Sequence, residues 1–394
     1  MQVLIAPLGT PGFVFASLAV AERLRTRGHD VSFVTDRAFA GAIAARGFER
    51  ISNGSEDGPT FQLDGWFDPL RIALQLKHLS GAIRARPPDV VLASNLAMGP
   101  LLLRALTGVP TVVLGPVVLL WPGSPAAGDD QDPIEARLRW RYADQMRHLR
   151  RAAELLRLQL PEEPYERSPL FGDRYLLQGV PALQRRADAL PAPVRFVGSC
   201  TFDTLDPLPP EDAAWLRGQR AQRRRIVYVQ LGRVFDKPSI WEALRARLER
   251  GDLAAVVCAE RYDRPLDDVP PNALVRARVP QDAILAAADA AVCTGHPTAV
   301  LGAIARAVPL AIATAGSGTE ELQEACVRCG AAVALDAEDP AALPGALDRL
   351  LADPAFARAA AVLRAAFAAY DGPANVCSEL EAVGSGRLAG AGAR

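Results

Sequence analysis

Short apolar runs alternate with amphipathic stretches along most of this chain. Val3-Leu4-Ile5-Ala6 is continuously apolar, the pattern of a parallel strand covered on both faces. Gly9 and Gly12 bound a tight turn. From Ala16 to Arg27, Leu18, Ala21 and Leu24 recur at helical spacing. Gly28 then stands where a helix stops in the left-handed conformation. Val31 to Thr35 reads as a second strand, and Ala38 to Arg46 as a helix stopped by Gly47. The rhythm resumes with a strand at Val90 to Ala93, a helix from Met98 to Leu106 and a strand at Thr111 to Leu114. Strands alternating with helices predict a parallel, doubly wound sheet.

The pattern then starts afresh. Asp206-Pro207-Leu208-Pro209-Pro210 cannot continue regular structure, because proline removes donors and restricts its neighbours. Ile226 to Leu231 opens a second series, with later strands expected at Ala254 to Cys258, Leu274 to Arg276, Ala290 to Cys293 and Leu310 to Ala313. The expected fold class is α/β, two Rossmann-like doubly wound parallel-sheet domains facing a central cleft. Its expected parts are a first domain at 1–205, a linker at 206–222, a second domain at 223–375, and a helix and tail at 376–394 packing back on the first domain. Two stretches break the rhythm, Ser52 to Lys77 and Trp121 to Leu160. Long insertions above such a sheet build ligand walls. The arginines of the second stretch, from Arg137 to Arg151, read as a solvated helix face.

Composition narrows the partners. The chain has 394 residues, half of them apolar, and a formal charge of -1, so nothing in its field favours nucleic acid or an anionic membrane. No apolar run reaches the roughly 20 residues that span a bilayer. Met1 leads straight into the first strand with no basic leader, and a cytoplasmic protein with reduced thiols is expected. Cys326 and Cys329 form one CxxC without a second pair at zinc spacing, and no metal site is expected.

At this point the residues resemble a known family. Gly9-Thr10-Pro11-Gly12-Phe13-Val14 and Arg27-Gly28-His29-Asp30-Val31 in the first half carry the likeness. So do Val227 to Gly232, Val279-Pro280-Gln281, Ala288-Asp289-Ala290, Val300-Leu301-Gly302-Ala303 and Val308-Pro309-Leu310 in the second. Together they resemble the GT-B glycosyltransferases that move sugars from nucleoside diphosphates to natural products such as macrolides and aromatic polyketides. The resemblance implies a nucleotide-sugar donor (dTDP or UDP) on the second domain, a small and largely apolar acceptor on the first, and a metal-free mechanism without a cofactor. A homodimer or a partner transferase is a further possible association.

The resemblance also assigns residues. The turn Thr294-Gly295-His296-Pro297-Thr298 would present a helix N-terminus to the diphosphate. Gly232 and Arg233 would face the same anion, and Val279 and Gln281 would edge the base. Glu320 and Glu321 would bind sugar hydroxyls, or simply sit as acids in a first helical turn. Gly12, Phe13, Trp66, Phe67, Asn95 and Trp121 are the candidate acceptor wall; closing a core is the equal alternative for the aromatic ones. Family members carry a histidine after the second glycine of the first loop, oriented by an aspartate. Here Phe13 stands in the first position, and Ser94 and Asn95 near the second. Phenylalanine cannot accept a proton, so the catalytic base is unassigned, with His296, Glu320 and Asn95 as candidates. His78 and His148 lie in the variable segments. Three readings stay open: a working transferase with an unusual acceptor step, a non-catalytic homologue that activates a partner transferase, or the same scaffold used for another reaction.

Overall fold

A computed structural model describes residues 1–52, 59–123, 132–200, 207–231, 238–259, 266–314, 318–336 and 339–386. The chain divides into two compact units, 1–202 with 370–394, and 203–369.

The first unit is built on a seven-stranded parallel sheet of order β3-β2-β1-β4-β5-β6-β7. Its strands are β1 (Gln2–Ala6), β2 (Asp30–Phe33), β3 (Glu49–Arg50), β4 (Val90–Ser94), β5 (Thr111–Leu114), β6 (Arg174–Leu177) and β7 (Val194–Phe196). Alternation along β1 explains the two cores. Leu4 and Ala6 join one apolar cluster with Met98, Trp121 and Leu149, while Val3 and Ile5 point the other way, to Leu18, Leu24 and Phe33. A strand buried on both faces must be apolar where it is covered, as Val3 to Ala6 of β1 are.

The helices of this unit are α1 (Pro11–Thr26), α2 (Ala40–Ala44), α3 (Pro69–Ala85), α4 (Met98–Thr107), α5 (Pro133–Leu155) and, from the chain's end, α13 (Gly372–Gly384). Thr10 caps α1 by accepting from the Phe13 N–H, with Pro11 in the first turn. The expected insertion at 52–77 is in part a helix. Asp68 caps α3, whose Ile72, Leu76 and Leu79 are buried at helical spacing. In α5, Arg147, Arg150 and Arg151 are exposed as expected, whereas Arg141 is buried.

Helix α13 packs Val376, Cys377, Leu380 and Val383 into the same core as α1. Gly372 permits this approach, since a Cβ there would lie 2.0 Å from the Ser199 carbonyl oxygen. Arg23 pairs with Asp371, and Arg27 and His29 with Glu381.

The second unit holds a six-stranded parallel sheet of order β10-β9-β8-β11-β12-β13. Its strands are β8 (Arg225–Gln230), β9 (Leu253–Cys258), β10 (Ala273–Arg276), β11 (Ala290–Cys293), β12 (Leu310–Ala313) and β13 (Ala332–Leu335). Its helices are α6 (Pro210–Ala221), α7 (Pro238–Leu248), α8 (Gln281–Leu285), α9 (Pro297–Ala305), α10 (Thr319–Arg328), α11 (Leu343–Ala352) and α12 (Pro354–Ala368). Residues 210–221 of the expected linker form α6. Pro210 serves as an initiating proline of α6, Leu216 is buried, and Asp212, 2% exposed, receives the Arg276 guanidinium at 2.5 Å. Proline breaks a helix from within but suits its first turn.

Candidate functional site

In an open parallel sheet, ligands bind beyond the strand C-termini where the strand order reverses. In the second unit that point lies between β8 and β11. The loop leaving β11 is the expected diphosphate turn. Thr294 is buried at 2% exposure and Gly295 is buried too, while His296, Pro297 and Thr298 are exposed. Gly295 was expected to let a ligand approach. Its actual constraint is internal: φ is +75°, and a Cβ would press on Thr314 Cγ2 and Thr319 Cβ, each at 3.1 Å. His296 caps α9 with extended backbone, and Pro297 follows in the first turn. Proline supplies no N–H, and the Ala299 N–H turns back to the His296 carbonyl at 3.1 Å. The helix end keeps its positive dipole but has fewer donors to offer an anion.

Gln281 and Val279 are both half-buried. The Gln281 amide donates to the Thr298 carbonyl at 3.0 Å, so it ties α8 to the first turn of α9. Beneath the turn, burial pushes the Cys293 thiol up to about 12, which keeps it protonated and inert. Glu320 and Glu321 lie in the first turn of α10, after Gly318 at φ +93°. Glu320 is half-buried and Glu321 buried, positions that also suit acids at a helix N-terminus. The nearby amide of Gln323, overlooked in the sequence, donates inward to the Ile312 carbonyl at 2.6 Å. Gly232 and Arg233 lie outside the described residues.

In the first unit the reversal lies between β1 and β4; the first turn of α1, with Gly12 and Phe13, follows β1, and Asn95 follows β4. Ser94 Oγ accepts from the Leu8 N–H at 2.9 Å, fastening the first loop to β4. Gly9 donates to the Phe61 carbonyl at 2.6 Å. Phe13 is half-buried and packs on the apolar core; Gly12 is exposed, with open space where a Cβ would stand. Asn95 is buried at 6%, and its Oδ1 accepts from the Tyr175 hydroxyl at 2.9 Å. That carboxamide acts as an anchor for the loop and has no basicity to serve as a proton acceptor. Leu96 follows with φ +68°, uncommon for a branched side chain.

Trp66 is half-buried and Phe67 is 47% exposed. Their rings meet His148 of α5, with centroids at 5.5 Å for Trp66 and 5.8 Å for Phe67. His148 Nε2 lies 3.5 Å from Asp144. The i, i+4 spacing of Asp144 and His148 was the sequence signal for this pair. Trp121 is 2% exposed and stacks among Tyr142, Phe171 and Tyr175. It therefore closes the core as well as bordering the site. His78 is buried against Phe61 and bonds the Ile51 carbonyl, a structural role. Among the described residues no group of three or more His, Cys, Asp or Glu could hold a metal ion, and no helix is long and apolar enough to cross a membrane.

Residues 245–383 match the family described as erythromycin biosynthesis protein CIII-like, C-terminal domain. The chain is 27% identical to the 4'-demethylrebeccamycin synthase of Lentzea aerocolonigenes, over 96% of this chain and 99% of that protein. It is 29% identical to the oleandomycin glycosyltransferase of Streptomyces antibioticus, over 71% of this chain and 66% of that protein. Its fold resembles the crystal structure of glycosyltransferase VinC in complex with dTDP, at a TM-score of 0.71 and 20% identity, covering 98% of this chain and all of that one, 100%. With both parallel-sheet units and the matched C-terminal domain in hand, the chain is similar to natural-product glycosyltransferases and shares their GT-B fold.

Proposed function

We propose that the protein transfers a sugar, a deoxysugar in our reading, from a thymidine or uridine diphosphate donor to a small, largely apolar natural-product acceptor. The donor would bind the second unit and the acceptor the first. The observation that carries this reading is the exposed start of α9 at the reversal of the second sheet, with His296 and Thr298 at the surface. The likeness in fold to a glycosyltransferase bound to dTDP supports the thymidine choice. As the diphosphate leaves, charge grows on its oxygens, and the helix dipole with the His296 ring would stabilise it. The turn has fewer backbone donors than a glycine-rich one, so His296 carries more of that burden. The acceptor proton needs a base other than Phe13, or an acceptor atom nucleophilic without one.

The test is isothermal titration of the full chain with dTDP and with UDP. One-to-one saturable heat is expected for dTDP, weaker in His296→Ala. Absence of heat with either nucleotide would overturn the reading. If nucleotide binds yet sugar moves only when a second transferase is added, the protein is an activating partner instead.

A further inference from the structure

A small cavity lies where β4 ends, bordered by Ser94, Asn95, Leu96, Met98, Trp121 and Gln145 among others. Its volume is about 10 Å³, room for one oxygen-sized group. Its lining mixes polar side chains (Ser94, Asn95, Gln145) with apolar ones.

Three features of the lining demand a ligand atom. The Trp121 side chain is 2% exposed, yet its indole N–H has no hydrogen-bond partner among the described residues. A buried indole N–H ordinarily finds one, and leaving it bare costs on the order of 1–3 kcal/mol. Gln145, 7% exposed, brings a carboxamide to the same space from α5. Asn95 is already committed to Tyr175, so the lining is held rigid. Leu96, the half-buried member of the lining, sits at φ +68°. Left-handed backbone at a leucine is a strain that persists where surroundings impose it, and such strain clusters at ligand sites.

Indole is a donor only, so the missing atom must be an acceptor. We propose that this cavity is a carbonyl-oxygen subsite: Trp121 Nε1–H and the Gln145 amide hold one ketone, quinone or lactam oxygen of a flat acceptor, whose apolar frame enters past Leu96. The inference rests on the acceptor lying on the first unit and deepens that reading by naming the group that orients it.

The probes are fluorenone and fluorene, which share a flat frame and differ by one carbonyl oxygen. Binding to the full chain is measured by titration, and the fluorenone carbonyl stretch by infrared difference spectroscopy. Fluorenone should bind about tenfold more tightly than fluorene, as one well-made hydrogen bond in a buried site provides, and its stretch should move to lower frequency on binding. Trp121→Phe keeps a ring and removes the N–H; it should abolish both the preference and the shift. Gln145→Leu should reduce them, and it serves if Trp121→Phe does not fold. Equal affinities for the two probes, or a shift unchanged in the folded variants, would overturn the subsite and leave a water-filled cavity. Titrating dTDP into the same samples separates the two levels. Nucleotide heat with no fluorenone preference removes only this subsite, whereas loss of nucleotide heat in the unaltered chain removes the transferase reading beneath it.

Discussion

Gln281 occupies the space above Gly302: a Cβ at that glycine would lie 2.1 Å from Gln281 Nε2, the same atom that donates to the Thr298 carbonyl. The glycine of α9 thus exists to seat an amide that fixes the start of its own helix. Gly302→Ala should push the amide away from Thr298. The displaced group is the end of a flexible side chain, so stability should fall by no more than about 1 kcal/mol. Affinity for dTDP should fall several-fold, because the exposed turn loses its brace. Unchanged nucleotide affinity in a folded Gly302→Ala protein would show that Gln281 does not shape the donor site.

Much of the architecture could be read from local pattern, and the exceptions have physical causes. Strands buried on both faces stand out by their continuous apolar runs, Val3 to Ala6 in β1 and Val90 to Ala93 in β4. Strand β3 is two residues long, Glu49–Arg50, too short for any periodicity. Strand β6 begins with Arg174 and β13 contains half-exposed Val333, so both were lost among their neighbours. The turn after β11 was found because a strand, a glycine and a helix follow one another without a gap. What remained hidden was the reason for its parts. Gly295 answers to Thr314 and Thr319, which are distant in sequence. Trp121 was assigned to the acceptor wall or the core as alternatives, and burial gives it a place in the core while one face borders the cavity. The pairing of His148 with Trp66 and Phe67 requires α5 to lie against residues distant in sequence.

Gly9 makes a harder contact than Gly302. A Cβ there would lie 2.4 Å from Asp36 Cβ, and Asp36 is held in turn by the Ala38 N–H at 2.8 Å. Neither atom is at the end of a long side chain, so backbone must move. Gly9→Ala should cost about 1–3 kcal/mol, seen in urea as a lower midpoint with an unchanged slope. Gly81 is the control. It sits exposed within α3 with nothing near its missing Cβ. Gly81→Ala should raise the midpoint, by about 0.5–1 kcal/mol in free energy. Equal effects at the two sites would mean that steric fit does not distinguish them.

Acid should loosen the attachment of α13. The His29 ring hydrogen-bonds the Glu381 carboxylate at 2.9 Å and, with Arg27, holds its pKa below the ordinary glutamate value. A carboxyl lowered in the folded state contributes stability above its unfolded pKa and loses that contribution as pH falls through the folded value. Glu381 is partly exposed, so the amount is modest, about 0.5–1 kcal/mol. Glu381→Gln should therefore melt below the unaltered protein at neutral pH. The gap between the two melting temperatures should close as pH drops beneath the normal carboxylate range. A gap that stays constant with pH would assign the effect of the substitution to packing.

Phe13 stands at the start of α1, which follows β1 at the strand reversal of the first sheet. It is half-buried against the core, and Val14, its neighbour, is fully buried, so the first turn of α1 is held in place by packing that an imidazole need not disturb. Thr10 would still cap the helix through the residue 13 N–H. Asn95 ends β4 with Oδ1 engaged by the Tyr175 hydroxyl. An aspartate there would keep that acceptor and add a charge able to orient and stabilise an imidazolium. Phe13→His should raise turnover with hydroxyl acceptors by roughly tenfold or more, and adding Asn95→Asp should raise it further, within the range general base catalysis supplies. The gain should appear in kcat, with a rise through the pH range where histidine loses its proton. A double variant that folds and binds dTDP yet gains nothing with any hydroxyl acceptor would mean that Phe13 does not face the acceptor oxygen, and that the proton leaves by another route.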